Sequence, residues 1–85
     1  MPEISRFLGI IIRMHFRDHA PGHFHAHYGD YEITVEIESG IVTGRFPKRA
    51  LAAVLEWHES NREALIENWQ RALRRETLQS IPPLE

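Results

Sequence analysis

The stretch from His23 to Glu36 reads HFHAHYGDYEITVE, and it decides how the rest of the chain is interpreted. Alternate side chains of a β-strand share a face. Gly29-Asp30, in the middle of the stretch, fits a two-residue hairpin loop of type II′, which needs glycine first. Folded at this turn, the stretch pairs apolar with apolar and polar with polar residues throughout, as in His25 with Thr34. A slip of one residue would break the match, so the pattern predicts an antiparallel hairpin in this register.

The first strand of this hairpin carries three histidines on one face. His23, His25 and His27 alternate with Phe24 and Ala26, so the imidazoles point to one side and the apolar side chains to the other. Packing alone does not account for three imidazoles on one side of a short strand. They are the groups that metal binding or acid–base chemistry near neutral pH uses.

Flanking segments extend the sheet. Residues 6–17 alternate in the same way and are rich in β-branched residues, which predicts one strand. Pro21-Gly22 then marks a loop. Ser39-Gly40 predicts a second two-residue turn, which would pair Thr34 with Arg45 and Val35 with Gly44. Both hairpins agree on one apolar and one polar face, and this agreement favours an antiparallel sheet.

Residues after the sheet are predicted to form helix. Pro47 suits a first helical turn, and Leu51, Val54 and Leu55 form an apolar stripe. The stripe lapses at residues 60–63, whose Ser-x-x-Glu pattern is typical of a helix start, so a break and a second helix are predicted.

The predicted fold is a single α+β domain over residues 1–85. A three- to four-stranded antiparallel sheet over residues 4–46 would have one or two C-terminal helices, within residues 47–76, packed on its apolar face. Residues 77–85 would form an extended tail, because Ile81-Pro82-Pro83 cannot continue a helix.

Composition excludes several classes of protein. The 85 residues are 42% hydrophobic and 26% charged, which is typical of a globular domain and not of a disordered chain. A net charge of −2 gives no global basic field, so contact with RNA would need local basic patches. The chain has no cysteine for a disulfide or a thiolate metal site, and its longest apolar run, Leu8–Ile12, is too short to span a membrane. Because no signal-peptide layout is present, we expect a cytoplasmic protein.

A dense set of reactive side chains would share the polar face if the first strand joins the sheet with its apolar side inward. The set comprises Arg13, His15, Arg17, His23, His25, His27, Glu32, Thr34, Glu36 and Arg45. Three hypotheses account for it.

The first hypothesis is cleavage of RNA without a metal or other cofactor, which needs a base, an acid and cations at the phosphate. The candidate acid–base pair is His23 and His25. The candidate phosphate-binding residues are Arg13, Arg17, Lys48 and Arg49. The last two stand at a predicted helix start, where cations oppose the helix dipole and an anion would be stabilised.

The second hypothesis is a site for zinc or another divalent metal. His-x-His on a strand puts two imidazoles about 7 Å apart at the backbone, close enough to converge on one ion. The candidate ligands are His19, His23 and His25, with His15 as another source of a third ligand. Glu32 or Glu36 would then orient a ligand from outside the coordination sphere.

The third hypothesis is a non-catalytic module that binds a partner protein through its helical segment. The histidines would then pair with carboxylates across strands, as His27 would with Glu32. Trp57 and Trp69 are predicted to be core or interface anchors, and His58 a hydrogen-bonded histidine at the core. The residues alone leave open whether the chain is an enzyme.

Several stretches resemble a known bacterial family. They are MPEISRFLGIIIRM at residues 1–14, DHAPGHFHA at 18–26, FPKRAL at 46–51, VLEW at 54–57, and IPPL at 81–84. Together they are similar, over nearly the whole chain, to the family known as domain of unknown function 4160. By this resemblance His19, His23 and His25 are the motif histidines, and Gly22 stands where the family usually has proline.

The resemblance implies a context for the chain. Such proteins often look like one half of two-gene modules that are similar to toxin–antitoxin pairs. We therefore expect a toxin-like component whose polar face binds RNA and, in the stronger form of the hypothesis, cleaves it as a metal-independent ribonuclease would. The expected partner is a small antitoxin-like protein, and no contact with a membrane is expected.

Overall fold

A computed structural model of the chain describes residues 2–16 and 18–85. Within these ranges, the strands are β1 (Glu3–Phe7), β2 (Ile10–Arg13), β3 (His23–Tyr28), β4 (Tyr31–Glu36) and β5 (Val42–Arg45), followed by the helices α1 (Lys48–Ser60) and α2 (Arg62–Leu73). The strands form one antiparallel sheet in the order β1-β2-β3-β4-β5. The α+β class, with an antiparallel sheet and C-terminal helices, is confirmed. The described sheet has five strands, however, and not three or four.

The additional strand arises from a turn at Leu8-Gly9. Residues 6–17 were predicted to be one strand, but the chain reverses at this turn and pairs Phe7 with Ile10. Both turn residues have positive φ, 51° at Leu8 and 78° at Gly9, which matches a type I′ hairpin turn. A left-handed leucine costs about 1–2 kcal/mol, and asparagine or glycine is the usual signal there. Because Leu8 is apolar and is not a usual turn residue, the turn was not predicted from the sequence.

The central hairpin has the predicted register. The Cα partners are His23–Glu36, Phe24–Val35, His25–Thr34, Ala26–Ile33, His27–Glu32 and Tyr28–Tyr31. Gly29, at the turn, has a φ of 58°, as a type II′ turn requires of its first residue. The face assignment that follows from this register holds as well, since Phe24 and Ala26 are completely buried.

The predicted register of the β4–β5 hairpin is wrong. Thr34 faces Thr43 and not Arg45, and Val35 faces Val42 and not Gly44. Residues 37–40 form the connection, which is closed by a hydrogen bond from the Glu36 N–H to the Ile41 carbonyl at 2.9 Å. Because the pairing moves by an even number of residues, each side chain keeps its predicted face.

The helices cover the apolar face of the sheet. Phe24 of β3 packs edge-on against Trp57 of α1, with ring centroids 5.6 Å apart, and both side chains are fully buried. Leu65 of α2 belongs to the same hydrophobic core. Asn61 separates the two helices, so the predicted break is confirmed. Neither described helix is long and apolar enough to cross a bilayer.

His58 and the two tryptophans occupy the structural positions predicted for them. His58 is 2% exposed, and its Nε2 donates to the carbonyl oxygen of Ile37 at 2.6 Å. Trp57 and Trp69 are both buried members of the core. Trp57 also donates from Nε1 to the carbonyl oxygen of Pro82 at 2.9 Å.

Residues near the C-terminus lie against the edge of the sheet formed by β1. The Ile81 N–H donates to the Ile4 carbonyl at 2.8 Å, and the Ile81 side chain is buried. With the helices on one face and this segment at the edge, the other face carries the polar rows of the strands. One such row runs across the sheet through Arg13, His25, Thr34 and Thr43.

Candidate functional site

Asp18 lies at the centre of a histidine cluster on the polar face. Its Oδ2 is 2.9 Å from Nε2 of His23 and 3.7 Å from Nε2 of His25. Its Oδ1 accepts a hydrogen bond from the His19 backbone N–H at 2.9 Å. The segment between β2 and β3 therefore brings a carboxylate to the row of imidazoles on β3.

Both ring nitrogens of His23 are engaged by oxygen atoms. Nδ1 lies 2.8 Å from the Pro21 carbonyl, and Nε2 lies 2.9 Å from Asp18 Oδ2. The ring also packs against Trp69 of α2, with centroids 5.4 Å apart. Because both nitrogens already face oxygen atoms, the geometry of His23 suits a residue that positions Asp18 better than a metal ligand.

His25 is engaged at one nitrogen and open at the other. Its Nδ1 lies 3.2 Å from Glu32 Oε2, so the carboxylate accepts the Nδ1 hydrogen. In that tautomer, Nε2 carries a lone pair. Nε2 is buried, and among residues 2–16 and 18–85 it has no hydrogen-bond partner. The neutral tautomer of His25 would therefore present a lone pair on Nε2 to the cluster.

His15 completes the group from the segment that follows β2. Its ring lies against that of His25, with centroids 4.0 Å apart. Its Nε2 is also buried and unpartnered within the described part of the chain. Burial, together with the neighbouring His25 ring, lowers the pKa of His15 below its ordinary value and so favours the neutral imidazole that a metal needs.

The carboxyl of Asp18 is held in its ionised form. Burial by itself would raise its pKa, but the backbone N–H of His19 and the ring of His23 outweigh burial and lower the pKa below its ordinary value. The cluster therefore contains one anionic oxygen donor as well as the imidazoles.

Three of these residues have the arrangement of a metal centre. His15, Asp18 and His25 each offer one ligand atom, and these atoms all lie within 4.8 Å of one another. In a tetrahedral zinc site, with bonds of about 2.0–2.2 Å, ligand atoms stand roughly 3.4 Å apart. The 3.7 Å between His25 Nε2 and Asp18 Oδ2 is close to that spacing.

The structure brings together only part of the ligand set predicted from the sequence. His23 and His25 are neighbours on β3, with ring centroids 5.3 Å apart. The His19 side chain is 90% exposed, and its Nδ1 faces Asp18 Oδ1 at 3.1 Å. Glu32, predicted to orient a ligand from outside, does contact His25.

The predicted phosphate-binding residues are spread over the molecule. Arg13 lies directly across from His25 in the β2–β3 pair. Lys48 and Arg49 are exposed at the start of α1, and Arg49 lines a cleft with Tyr28. Tyr28 is at the opposite end of β3 from His23, about 16 Å away at 3.3 Å per residue. Arg17 lies outside the described residues.

Sequence reasoning did not single out Asp18 as a site residue. The residue reads as part of a loop ahead of Pro21-Gly22, and its role depends on how that loop folds back onto β3. The available signal was its position between His15 and His23, since a carboxylate flanked by histidines is a common donor set for metals.

With this geometry in view, comparison with known proteins identifies the family. The matching family model is described as Domain of unknown function (DUF4160) and covers residues 9–70. The chain belongs to the DUF4160 family. The matched range of this DUF4160 chain contains the whole cluster, from His15 to Glu32. No curated protein and no solved structure matches the chain.

Proposed function

We propose that this DUF4160 chain binds a divalent metal ion through His15 Nε2, His25 Nε2 and a carboxylate oxygen of Asp18. One observation carries the proposal: the open Nε2 of His25 faces Asp18 Oδ2 at 3.7 Å. In the neutral tautomer that donates from Nδ1 to Glu32, His25 Nε2 and Asp18 Oδ2 both present lone pairs, so a cation between them would bind both atoms. His15 adds a second half-buried imidazole to the same pair, and its lowered pKa favours the neutral form.

Residues around the three ligands support the proposal. Glu32 accepts from His25 Nδ1, which is how a carboxylate commonly fixes the tautomer of a metal-binding histidine. His23 and the His19 N–H bond the two oxygens of Asp18, as ligating carboxylates usually require. These contacts hold the donor atoms in place before any ion binds, which lowers the ordering cost of binding.

The donor set favours zinc among common ions. Two imidazoles and a carboxylate suit zinc, and three protein ligands leave a position for water or substrate, as in catalytic zinc sites. Non-haem ferrous iron accepts the same set. A metal held in this way would act as a Lewis acid or lower the pKa of a bound water.

A zinc titration of the full chain and of single variants tests the proposal. The variants are His15→Gln, His25→Gln and, as the matched control, His19→Gln. Affinity is measured by isothermal titration calorimetry and bound metal by elemental analysis. At free zinc a hundred times Kd, the wild-type chain should gain about 2.7 kcal/mol of unfolding free energy. That gain should raise its melting temperature by roughly 15 °C.

The outcomes separate the geometric ligand set from the one predicted from the sequence. Loss of stoichiometric zinc in His15→Gln and His25→Gln, with retention in His19→Gln, supports the proposal. Loss in His19→Gln with retention in His15→Gln would favour His19, His23 and His25 and would overturn it. A wild-type chain that binds no zinc and no ferrous iron would overturn it as well.

The cluster also supports a second candidate, metal-free cleavage of RNA with His25 as base and His23 as acid. The specific observation is the Glu32–His25 contact, because an imidazole oriented by a carboxylate and open at its other nitrogen is the arrangement of a general base. Incubation of the protein with total RNA, with and without EDTA and beside His25→Ala, tests this candidate. Cleavage that survives EDTA and disappears in the variant would support it, and the absence of any cleavage would exclude it.

Membership of the family adds a cellular context to either candidate. We propose that the chain is the toxin-like member of a two-component module in the cytoplasm, with a small antitoxin-like protein as its partner. The support is the resemblance to chains found in such modules. Growth arrest on expression, relieved by the neighbouring gene, is the expected result. Unimpaired growth at high expression would contradict the toxin-like role.

A further inference from the structure

We infer that Arg13 holds a phosphoryl oxyanion beside the metal centre, so that the substrates of the site are phosphate esters. The inference rests on the proposed function, because it places one oxygen of the phosphoryl group on the open position of the metal. The inference names phosphate esters as the class of ligand that the proposed metal centre would bind.

Arg13 is next to two of the three proposed ligands. It pairs across the β2–β3 ladder with His25, and the Cβ atoms of directly opposed residues lie about 4.5–5.5 Å apart. It precedes His15 by two residues in the chain, and the His15 ring lies against the ring of His25. The register therefore places Arg13 beside the residues that would hold the metal.

The Nε of Arg13 has no acceptor among the described residues, although the atom is buried. Glu3 is the acidic residue that faces Arg13 across the β1–β2 pair. Both oxygens of Glu3 are taken by Arg6, at 3.0 Å from Nε and 2.8 Å from a terminal guanidinium nitrogen. A buried donor without an acceptor destabilises the fold, and more so when it is charged, so an anion bound at Arg13 would satisfy this donor.

Phosphoryl groups match this pair of binding elements. An arginine binds phosphate oxygens through parallel N–H donors in a fixed fork. The tetrahedral phosphoryl group has further oxygens, so one of them can coordinate the metal while others accept from Arg13. A metal and a guanidinium on one phosphoryl group are the usual means of stabilising charge in phosphate chemistry.

The test uses the full chain loaded with cobalt(II), whose visible absorption reports its coordination sphere. Phenyl phosphate represents monoesters, dimethyl phosphate represents the diesters of nucleic acids, and acetate serves as a simple carboxylate. Each is titrated into the wild type, Arg13→Gln, Arg13→Lys and the matched control Arg62→Gln. Arg62 also has a buried Nε without a partner in the described chain, but it lies at the start of α2. Metal content and far-ultraviolet circular dichroism are recorded for every variant.

The expected result is a spectral change with at least one phosphate ester in the wild type and in Arg62→Gln. In Arg13→Gln the affinity should fall at least tenfold at unchanged cobalt content. Arg13→Lys should lose less, because it keeps the charge and loses the fork. The ester that binds more tightly identifies the source of the phosphoryl group.

Other outcomes overturn the inference. Equal affinity for the esters in Arg13→Gln and the wild type would exclude Arg13 as a phosphate-binding residue. An equal loss of affinity in Arg62→Gln would show that only the net charge of the protein matters. Cobalt-loaded wild type that binds acetate as tightly as either ester, or binds no ester, would overturn the inference and leave the metal centre standing. A wild-type chain that takes up no metal would overturn the proposed function, and the inference with it.

Discussion

Asn68 and Gln79 are joined by two hydrogen bonds between α2 and the C-terminal segment. Asn68 Nδ2 donates to the Gln79 carbonyl at 2.8 Å, and the Gln79 N–H donates to Asn68 Oδ1 at 3.0 Å. Asn68 is 1% exposed, so one buried amide satisfies both backbone groups of a residue outside regular secondary structure. This contact holds the segment that covers β1.

Asn68→Ala is therefore expected to lower the free energy of unfolding by about 2–3 kcal/mol, because two backbone groups lose their partner. Equilibrium unfolding in urea measures the change. The control is Gln70→Ala on the exposed side of the same helix, which should change stability by less than about 0.5 kcal/mol. Equal changes in the two variants would show that the paired hydrogen bonds do not stabilise the fold.

Gly44 and Gly29 form a natural pair for testing backbone strain. A Cβ at Gly44 would lie 2.6 Å from the carbonyl oxygen of Glu32, and φ there is 111°. A Cβ at Gly29 meets no described atom within 4 Å at a φ of 58°. Gly44→Ala should cost about 2–4 kcal/mol, and Gly29→Ala only about 1 kcal/mol. Thermal unfolding of both variants gives the comparison, and a larger loss in Gly29→Ala would contradict the explanation.

Glu32→Ala should weaken zinc binding by about 10–100-fold without changing the number of bound ions, because His25 loses the carboxylate that orients it. Competition with a chromophoric chelator measures the affinity. Glu38→Ala removes an exposed carboxylate from the β4–β5 connection and is the matched control. A similar weakening in both variants would mean that only the net charge matters.

His58→Phe should destabilise the chain by about 1–3 kcal/mol, since phenylalanine fills the space but leaves the Ile37 carbonyl without its donor. His19→Phe, at a side chain that is 90% exposed, should stay within about 0.5 kcal/mol of the wild type. Urea unfolding of the metal-free proteins separates the two cases. An unchanged stability in His58→Phe would show that water replaces the imidazole.

The sequence predicted the central hairpin correctly because two independent signals agreed there. Gly29-Asp30 set the turn, and the polar and apolar side chains of the two strands matched across it. At β4–β5 the turn signal was wrong, since residues 37–40 form the connection and not Ser39-Gly40 alone. Side-chain matching could not correct it, because a pairing moved by two residues leaves every side chain on the same face. The turn at Leu8-Gly9 was missed for another reason. A leucine in the left-handed conformation cannot be distinguished by its residue type from an ordinary strand residue.

The candidate site was partly predictable for similar reasons. His23 and His25 follow from strand alternation, and the Glu32 contact follows from the hairpin register. Asp18 depends on the path of a loop, which no periodicity encodes. The separation of Lys48 and Arg49 from the histidines follows from β5, whose end lies beside Tyr28, as the 6.0 Å between the Tyr28 and Phe46 rings indicates.

The contact between His23 and Trp69 gives the cluster an optical reporter. The indole lies over the loop at Gly22, where a Cβ would come within 3.2 Å of the ring, so glycine permits this close approach. Trp57, the other tryptophan of the chain, is enclosed in the core. Indole emission responds to charge on an adjacent imidazole, so a Trp57→Phe protein carries a single fluorophore beside the cluster. Events at Asp18 and its histidines can then be followed in real time without a label.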